Sequence, residues 1–154
     1  MSLTVKNPAA SMQALQEYLD TCIALVPQMG VQVKDLDDSG LTLFAPLQAN
    51  KNHIGTAFGG SISGLATLSC WGLLWILLHE HPEQQIVIQD NHVRYLKPVI
   101  ADFMAKCPMP GDNELQRFEL AFTKRGKARL ALHADIYSAG ELVGEFSGNF
   151  VAVK

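Results

Sequence analysis

The segment best suited to chemistry is a polar loop at residues 50–61, which reads NKNHIGTAFGGS and runs into a long uncharged stretch. Gly59 and Gly60 would let a ligand approach the backbone closely where a helix begins. The first N–H groups of a helix have no internal partner and carry the positive end of its dipole, so they can bind an oxyanion or a developing enolate. Asn52 adds an amide that can donate to a carbonyl oxygen. The residues alone support equally well a plain packing role for the two glycines and a loop-capping role for Asn52.

The uncharged stretch from Gly59 to Leu78 has about the length of a membrane span. Its first half consists mostly of small residues, and only the part from Cys70 to Leu78 is densely apolar. We therefore predict a buried helix of a soluble protein over residues 59–81, ended by Pro82, and no membrane association.

The other predicted elements surround this helix. Asn7 as a cap and Pro8 as the first helical residue predict an N-terminal helix at about 8–26. A hairpin turning at residues 37–40 follows, and further extended runs occupy residues 85–98 and 102–107. Residues 113–124 fit a short helix, with Asn113 and Gln116 resembling a capping box. Strict alternation around a turn at 138–140 predicts a long final hairpin.

This order predicts the α+β class, in which an antiparallel sheet curls around the one helix apolar enough to be enclosed. With 154 residues, the chain is long enough for one domain, which we expect to span residues 1–154.

The composition argues against several functional classes. The net charge of −3 argues against a nucleic-acid binder, which needs a basic excess. The three cysteines show neither a CxxC motif nor metal-ligand spacing, so we expect no metal, no cofactor and a reducing cytoplasm. The N-terminus does not look like a signal peptide.

Three segments together resemble a known family: residues 50–75, residues 86–99 and the KRGKARL…FSGNFVAV ending. They are similar to the hot-dog thioesterase superfamily, and more closely to the YiiD C-terminal thioesterase-domain family. The resemblance implies a hot-dog fold and a homodimer, which could pair further into a dimer of dimers. It also implies a coenzyme A or acyl-carrier-protein thioester as substrate, bound where the loop and the helix start meet the partner chain.

The sequence departs from its hydrolytic relatives at two positions. Phenylacetyl-CoA-type thioesterases read roughly N-x-x-G-x-x-H-G-G, with an acidic residue about seven positions into the helix. Here Phe58 stands in place of the histidine and Thr67 in place of the acid. Because Thr67 cannot activate water, the sequence favours decarboxylation of a malonyl-carrier protein, a reaction known in this family, over thioester hydrolysis. A non-catalytic module that binds acyl thioesters is the alternative of another class.

The expected site contains two catalytic groups, Asn52 and the N–H of Gly60. Its other members are expected to contact substrate: His53, Thr56, Gly59, Ser61, Asp90, His92, Lys124 and Arg125. Asp90 and His92, polar residues within a strand, are the possible bases for hydrolysis, although a satisfied polar network is the favoured interpretation. Lys124 and Arg125 could receive coenzyme A phosphates or an acidic carrier protein, or could be ordinary helix-end charges.

Overall fold

The computed structural model describes residues 3–154 and contains four α-helices and six strands within that range. The helices are α1 (Pro8–Cys22), α2 (Leu25–Met29), α3 (Gly59–Leu77) and α4 (Asp112–Arg125). The strands are β1 (Gln32–Asp37), β2 (Gly40–Ala45), β3 (Gln85–Tyr95), β4 (Phe103–Pro108), β5 (Lys127–Ser138) and β6 (Glu141–Val153). One antiparallel sheet has the order β1-β2-β4-β5-β6-β3, and it leaves β1 and β3 as edges.

Helix α3 occupies the concave side of this sheet, as predicted. It contacts β2, β3, β4, β5 and β6, and α1 packs against it as well. Gly72 permits this close packing, because a Cβ there would lie 3.0 Å from Leu15 of α1 and 3.1 Å from Leu41 of β2. Of the helices in residues 3–154, α3 alone is long and apolar enough to span a bilayer, and it is mostly buried, as the core helix of a soluble protein is.

The predicted N-terminal helix is divided in two. Its start is confirmed, since the N–H of Ala10 donates to Asn7 Oδ1 over 3.2 Å. The end at residue 26 is wrong: α1 stops at Cys22, Ile23 is extended, and α2 begins at Leu25. A continuous helix would place the ring of Pro27 against the carbonyl of Ile23, four residues earlier, so the chain breaks there.

Two further boundaries differ from the prediction. Helix α3 ends at Leu77 rather than residue 81, because the last turn tightens to three-residue hydrogen bonds from His79 to Ile76 and from His81 to Leu78. Helix α4 is confirmed, with a different cap. The N–H of Gly111 donates to the carboxylate of Glu114 over 3.1 Å, so Asn113 and Gln116 do not form the capping pair.

A bulge in β3 determines which side chains face α3. The pairing of β3 with β6 shifts between Ile88, which lies opposite Phe150, and Asp90, which lies opposite Asn149. Facing residues of an antiparallel pair share one side of the sheet, and the extra residue reverses the alternation. Beyond the bulge, Val93 and Tyr95 therefore turn toward α3.

Candidate active site at the start of the central helix

A groove of about 510 Å³ opens at the N-terminus of α3. One wall is the loop before the helix, with Thr56 and Ala57, and the floor is the first turn, with Gly59 and Gly60. The opposite wall is the chain leaving β3, which contributes its residues Tyr95 to Val99. The lining is mostly apolar, and Lys97 is the one charged residue in it.

Asn52 organises the loop through its own side chain. Its Oδ1 accepts from the N–H groups of Ile54 (3.0 Å) and Thr56 (3.1 Å), and its Nδ2 donates to Thr56 Oγ1 over 2.7 Å. The amide is therefore bonded directly to Thr56, which lines the groove. Of the two Nδ2 hydrogens, this pattern uses one.

Asn50 anchors the same loop to the protein core, a role that the sequence did not reveal. It is 3% exposed, and its Nδ2 donates to the carbonyls of Met29 (2.9 Å) and Pro46 (2.7 Å). Its backbone carbonyl accepts from the N–H of Phe58 over 2.7 Å. The buried side-chain amide therefore anchors the loop, and the backbone carbonyl holds Phe58, the residue before α3.

The start of α3 presents two backbone donors. The N–H groups of Ser61 and Ile62 both donate to the carbonyl of Phe58, over 2.9 and 3.1 Å. The N–H groups of Gly59 and Gly60 have no acceptor among residues 3–154. Two free donors at the positive end of a 19-residue helix make an anion-binding position beside an apolar groove.

Tyr95 closes the groove from the opposite wall. Its hydroxyl donates to the carbonyl oxygen of Gly59 over 3.1 Å. The ring of Tyr95 packs beside Gly59, where a Cβ would lie 3.4 Å from the hydroxyl, an ordinary van der Waals distance. The residue was missed in the sequence, where its only signal was an aromatic residue near the end of a strand and shortly before Pro98.

The expected site residues close to the loop are not all brought together. Thr56, Gly59 and Gly60 line the groove. His53 is exposed on the loop and Ser61 is half-buried in the first turn, and neither lines it. The hydroxyl of Thr67 has its acceptor within the helix, since it donates to the carbonyl of Ser63 over 2.8 Å.

Asp90 and His92 lie away from the groove of their own chain, contrary to our expectation. After the bulge they pair with Asn149 and Ser147, which places them on the sheet face opposite α3. Both are exposed, and Asp90 accepts a hydrogen bond from Asn149 Nδ2 over 2.7 Å. Asp90 therefore has a hydrogen-bonded partner on the outer face of the sheet, and neither residue lines the groove of its own chain.

Lys124 and Arg125 also lie far from the groove of their own chain. They end α4, next to Lys127 and Arg129 of β5, and we call these four residues the basic surface. Lys127 pairs with Val153, whereas Tyr95 pairs with Gly144, so nine residues of β6 separate the basic surface from the groove. At roughly 3.3 Å per residue the separation is about 30 Å.

Within residues 3–154, no carboxylate oxygen lies within 4 Å of a charged nitrogen of the basic surface. Lys97, by contrast, has one, since its Nζ lies 3.3 Å from Glu141 Oε2. In the same part of the chain, no group of three or more His, Cys, Asp or Glu residues could hold a metal ion.

An antiparallel sheet around a central helix, with a groove at the helix start, defines a hot-dog protein of the thioesterase superfamily. The sequence match agrees: residues 12–154 fit the family described as "Putative thioesterase (yiiD_Cterm)", and the chain belongs to that family. The resemblance seen in the sequence is confirmed.

Solved structures give the same result. A protein of unknown function from Chlorobaculum tepidum superposes with a TM-score of 0.92 at 28% identity, covering 97% of this chain and 98% of that one. A "putative thioesterase" from Shewanella oneidensis gives 0.81 at 28% identity, over 95% and 99%. A thioesterase from Haemophilus influenzae shares the fold, with a TM-score of 0.73 at 14% identity over 93% and 90%.

Proposed function

We propose that this protein decarboxylates a malonyl thioester, bound with its thioester carbonyl at the start of α3. One observation carries the proposal: the groove offers two free backbone donors and contains no carboxylate or imidazole among its lining residues. Thioester hydrolysis needs an activated water or a nucleophile, and decarboxylation needs neither. Family membership supports the coarser part, an acyl-thioester substrate.

The proposed reaction begins with cleavage of the bond between C2 of the malonyl group and its carboxylate. The electron pair moves toward the thioester carbonyl, carbon dioxide leaves, and an enolate remains with its charge on the thioester oxygen. Donors aimed at that oxygen stabilise the transition state more than the ground state, by roughly 3–4 kcal/mol for one donor. The mostly apolar lining lowers the local dielectric constant and so strengthens these interactions.

The N–H of Gly60 and the second Nδ2 hydrogen of Asn52 are the donors in this proposal. The other Nδ2 hydrogen is 2.7 Å from the hydroxyl oxygen of Thr56, a lining residue, so the amide is at the edge of the groove. Thr56 and Gly59 contact the acyl group, and Tyr95 holds the opposite wall. His53 and Ser61 border the entrance and contact the carrier arm.

The second candidate is hydrolysis of an acyl thioester, favoured by the description of the family and of the Shewanella relative. It requires a base that the groove of one chain lacks. Asp90 and His92 could serve only from a partner chain, across the exposed edge of β3. Thr67, bonded within α3, contributes to neither reaction in this proposal.

We also propose a homodimer joined along β3. This strand is an unpaired edge of 11 residues, with Val87 exposed to 56% and Tyr95 to 54%. An unpaired edge of this length leaves a row of backbone N–H and C=O groups without strand partners, and a second copy supplies a matching edge. An antiparallel pairing of the two edges would also bring the partner's far end of the sheet toward this groove.

The basic surface suits an acidic carrier protein or the phosphates of coenzyme A. Because it lies about 30 Å from the groove of its own chain, it serves the partner's groove in this proposal. A carrier protein fits better than the nucleotide, because four cations without carboxylate partners offer a broad surface.

Incubation of the purified protein with malonyl-carrier protein, followed by mass spectrometry, tests the proposal. We expect loss of carbon dioxide to give acetyl-carrier protein, and no reaction with butyryl-carrier protein. The variant Thr67→Val should retain most of the activity, and a catalytic role of that hydroxyl would contradict our assignment. Release of free thiol from butyryl-carrier protein, with malonyl-carrier protein unchanged, would establish the hydrolase instead. Binding of both without turnover would indicate an acyl-thioester-binding module.

A further inference from the structure

The peptide group between Gly59 and Gly60 is bonded at one end only. Its N–H, on Gly60, has no acceptor among residues 3–154, whereas its carbonyl oxygen, on Gly59, accepts two hydrogen bonds. One is the helical bond from the N–H of Ser63, four residues further along α3. The other comes from the hydroxyl of Tyr95 over 3.1 Å. Both lone pairs of this carbonyl are therefore engaged, and one of the two donors is a side chain.

The Tyr95 hydroxyl lies behind the free N–H and does not compete with it. The 59–60 peptide is trans, so its carbonyl oxygen and its N–H point in opposite directions. Hydrogen bonds in a chain polarise one another, so a donor at the carbonyl makes the N–H at the other end of the same peptide a stronger donor. The Tyr95 contact thus strengthens the N–H that the proposed function places at the enolate oxygen.

The same contact fixes the direction of this N–H. Gly59 and Gly60 are the first two residues of α3, where helices fray and where glycine adds backbone freedom. Tyr95 is the last residue of β3 and pairs with Gly144 of β6, so its hydroxyl links the helix start to the sheet. Because a misaligned donor stabilises an oxyanion poorly, this link matters for turnover although Tyr95 does not touch the reacting atoms.

We infer that Tyr95 is a positioning residue that orients and polarises the N–H of Gly60 through the peptide between them, a role that rests on the proposed function for the identity of the bound carbonyl. Cooperative strengthening amounts to roughly 10–30% of a hydrogen bond. Since one donor to an oxyanion is worth about 10²–10³-fold in kcat, loss of the Tyr95 hydroxyl should lower kcat by about two- to eightfold. KM should change by less than about twofold, because the charge on the thioester oxygen develops only in the transition state.

Tyr95→Phe tests this role, because it removes the hydroxyl and keeps the ring that packs beside Gly59. Ser63→Ala is the matched control. The hydroxyl of Ser63 donates over 3.1 Å to the next carbonyl, that of Gly60, and the N–H of that peptide already has an acceptor. With malonyl-carrier protein, we expect the fall in kcat for Tyr95→Phe and a wild-type kcat for Ser63→Ala.

The carbonyl stretch of a bound thioester reports the donors directly and needs no turnover. The probe is acetyl-carrier protein, the proposed product, isotope-labelled at the thioester carbonyl and followed by infrared difference spectroscopy. Because donors weaken the carbonyl double bond, the wild-type protein should lower the wavenumber of this band relative to the free probe. The lowering should be smaller in Tyr95→Phe and unchanged in Ser63→Ala. It should be larger with a monofluorinated tyrosine at position 95, whose more acidic phenol is a stronger donor.

A purely structural role of Tyr95 predicts a different pattern. Tyr95→Phe would then lose turnover or stability while the carbonyl band stayed at its wild-type position, and fluorination of the ring would have no effect on the band. Either result would overturn the assignment.

The two proposals fail in different ways. If the wild-type protein releases no carbon dioxide from malonyl-carrier protein but Tyr95→Phe still shifts the band, the reaction is wrong and Tyr95 keeps its role toward the bound carbonyl. If carbon dioxide is released and Tyr95→Phe matches the wild type in kcat and band position, the decarboxylase remains and only the role of Tyr95 is excluded. If the wild type neither releases carbon dioxide nor lowers the band, both are wrong.

Discussion

The ring of Phe58 lies over Gly60 so closely that a Cβ at position 60 would overlap its Cε2 atom. Phe58 is the residue before α3 and is 57% exposed, so its ring covers the second residue of the helix from the solvent side. This apolar ring stands where the phenylacetyl-CoA-type motif that the loop resembles has a histidine, so position 58 supplies no proton-transfer group at the helix start.

This contact predicts that Gly60→Ala has to displace the Phe58 ring. Because that ring is the exposed end of a side chain, it can rotate away, so we expect the displacement to offset the roughly 0.5–1 kcal/mol that alanine gains over glycine in a helix. Thermal unfolding should therefore show little change in Tm for Gly60→Ala, whereas Phe58→Ala/Gly60→Ala should be more stable than Phe58→Ala by about that amount. Gly64→Ala is the matched control, because its Cβ would lie 3.7 Å from Met29, and in a helix the change should stabilise by roughly 0.5–1 kcal/mol. Equal effects at positions 60 and 64 would contradict the contact.

The Asn52 amide should matter for turnover beyond its part in the loop. Asn52→Ala should lower kcat for malonyl-carrier protein by roughly 10²–10³-fold, the cost of one donor at the developing oxyanion. Thr56→Val removes the 2.7 Å partner of the amide and should cost less than about tenfold. Similar losses in both variants would mean that Asn52 acts only by ordering the loop.

The edge of β3 should hold the dimer together. Val87→Lys places a charge on this edge and should convert the dimer to monomer in sedimentation velocity at micromolar concentration. Leu120→Lys is the control, since Leu120 is 58% exposed on α4, away from the β3 edge, and should leave the dimer intact. A wild-type protein that sediments as a stable monomer would exclude the proposed assembly.

The basic surface should affect binding of the carrier protein and not the rate of the chemical step. The double variant Arg125→Glu/Lys127→Glu should raise KM for malonyl-carrier protein at least tenfold, with the difference shrinking at high salt because the charges are exposed. Its kcat, and its activity toward malonyl pantetheine, should stay close to those of the wild type. Lys34→Glu, an exposed charge change on β1, serves as the control. An equal effect on both substrates would exclude a carrier-docking role.

The reactivity of the three cysteines should show which of them are buried in the core. Cys70 and Cys107 are fully buried, and the hydrogen bond with Cys70, together with burial, raises the pKa of the Cys107 thiol. Because burial keeps the reagent away from both thiols, both should resist iodoacetamide in the native protein, whereas exposed Cys22 should react. Mass spectrometry should then find one labelled cysteine of the three before unfolding and three after it. Early labelling of Cys107 would indicate that α3 separates readily from the sheet.

The central helix and the final hairpin were predictable from local pattern alone. A stretch without charge from Gly59 to Leu78 has to be enclosed, and the period-two alternation after Gly126 fits only paired strands. The loop with Asn52, Gly59 and Gly60 was also recognisable, because these residue types in this order give a helix start with accessible donors. All of these signals are carried by residues close together in the chain.

Only the tertiary structure decided which residues face the groove. One extra residue in β3 reverses the alternation, so Asp90 turns away from α3 and Tyr95 turns toward it, and no local pattern shows where a bulge falls. The pairing of β3 with β6 brings Tyr95 against Gly59, 36 positions earlier in the sequence. The same pairing places Lys124 and Arg125 at the far end of the sheet, since strand register depends on contacts between distant segments.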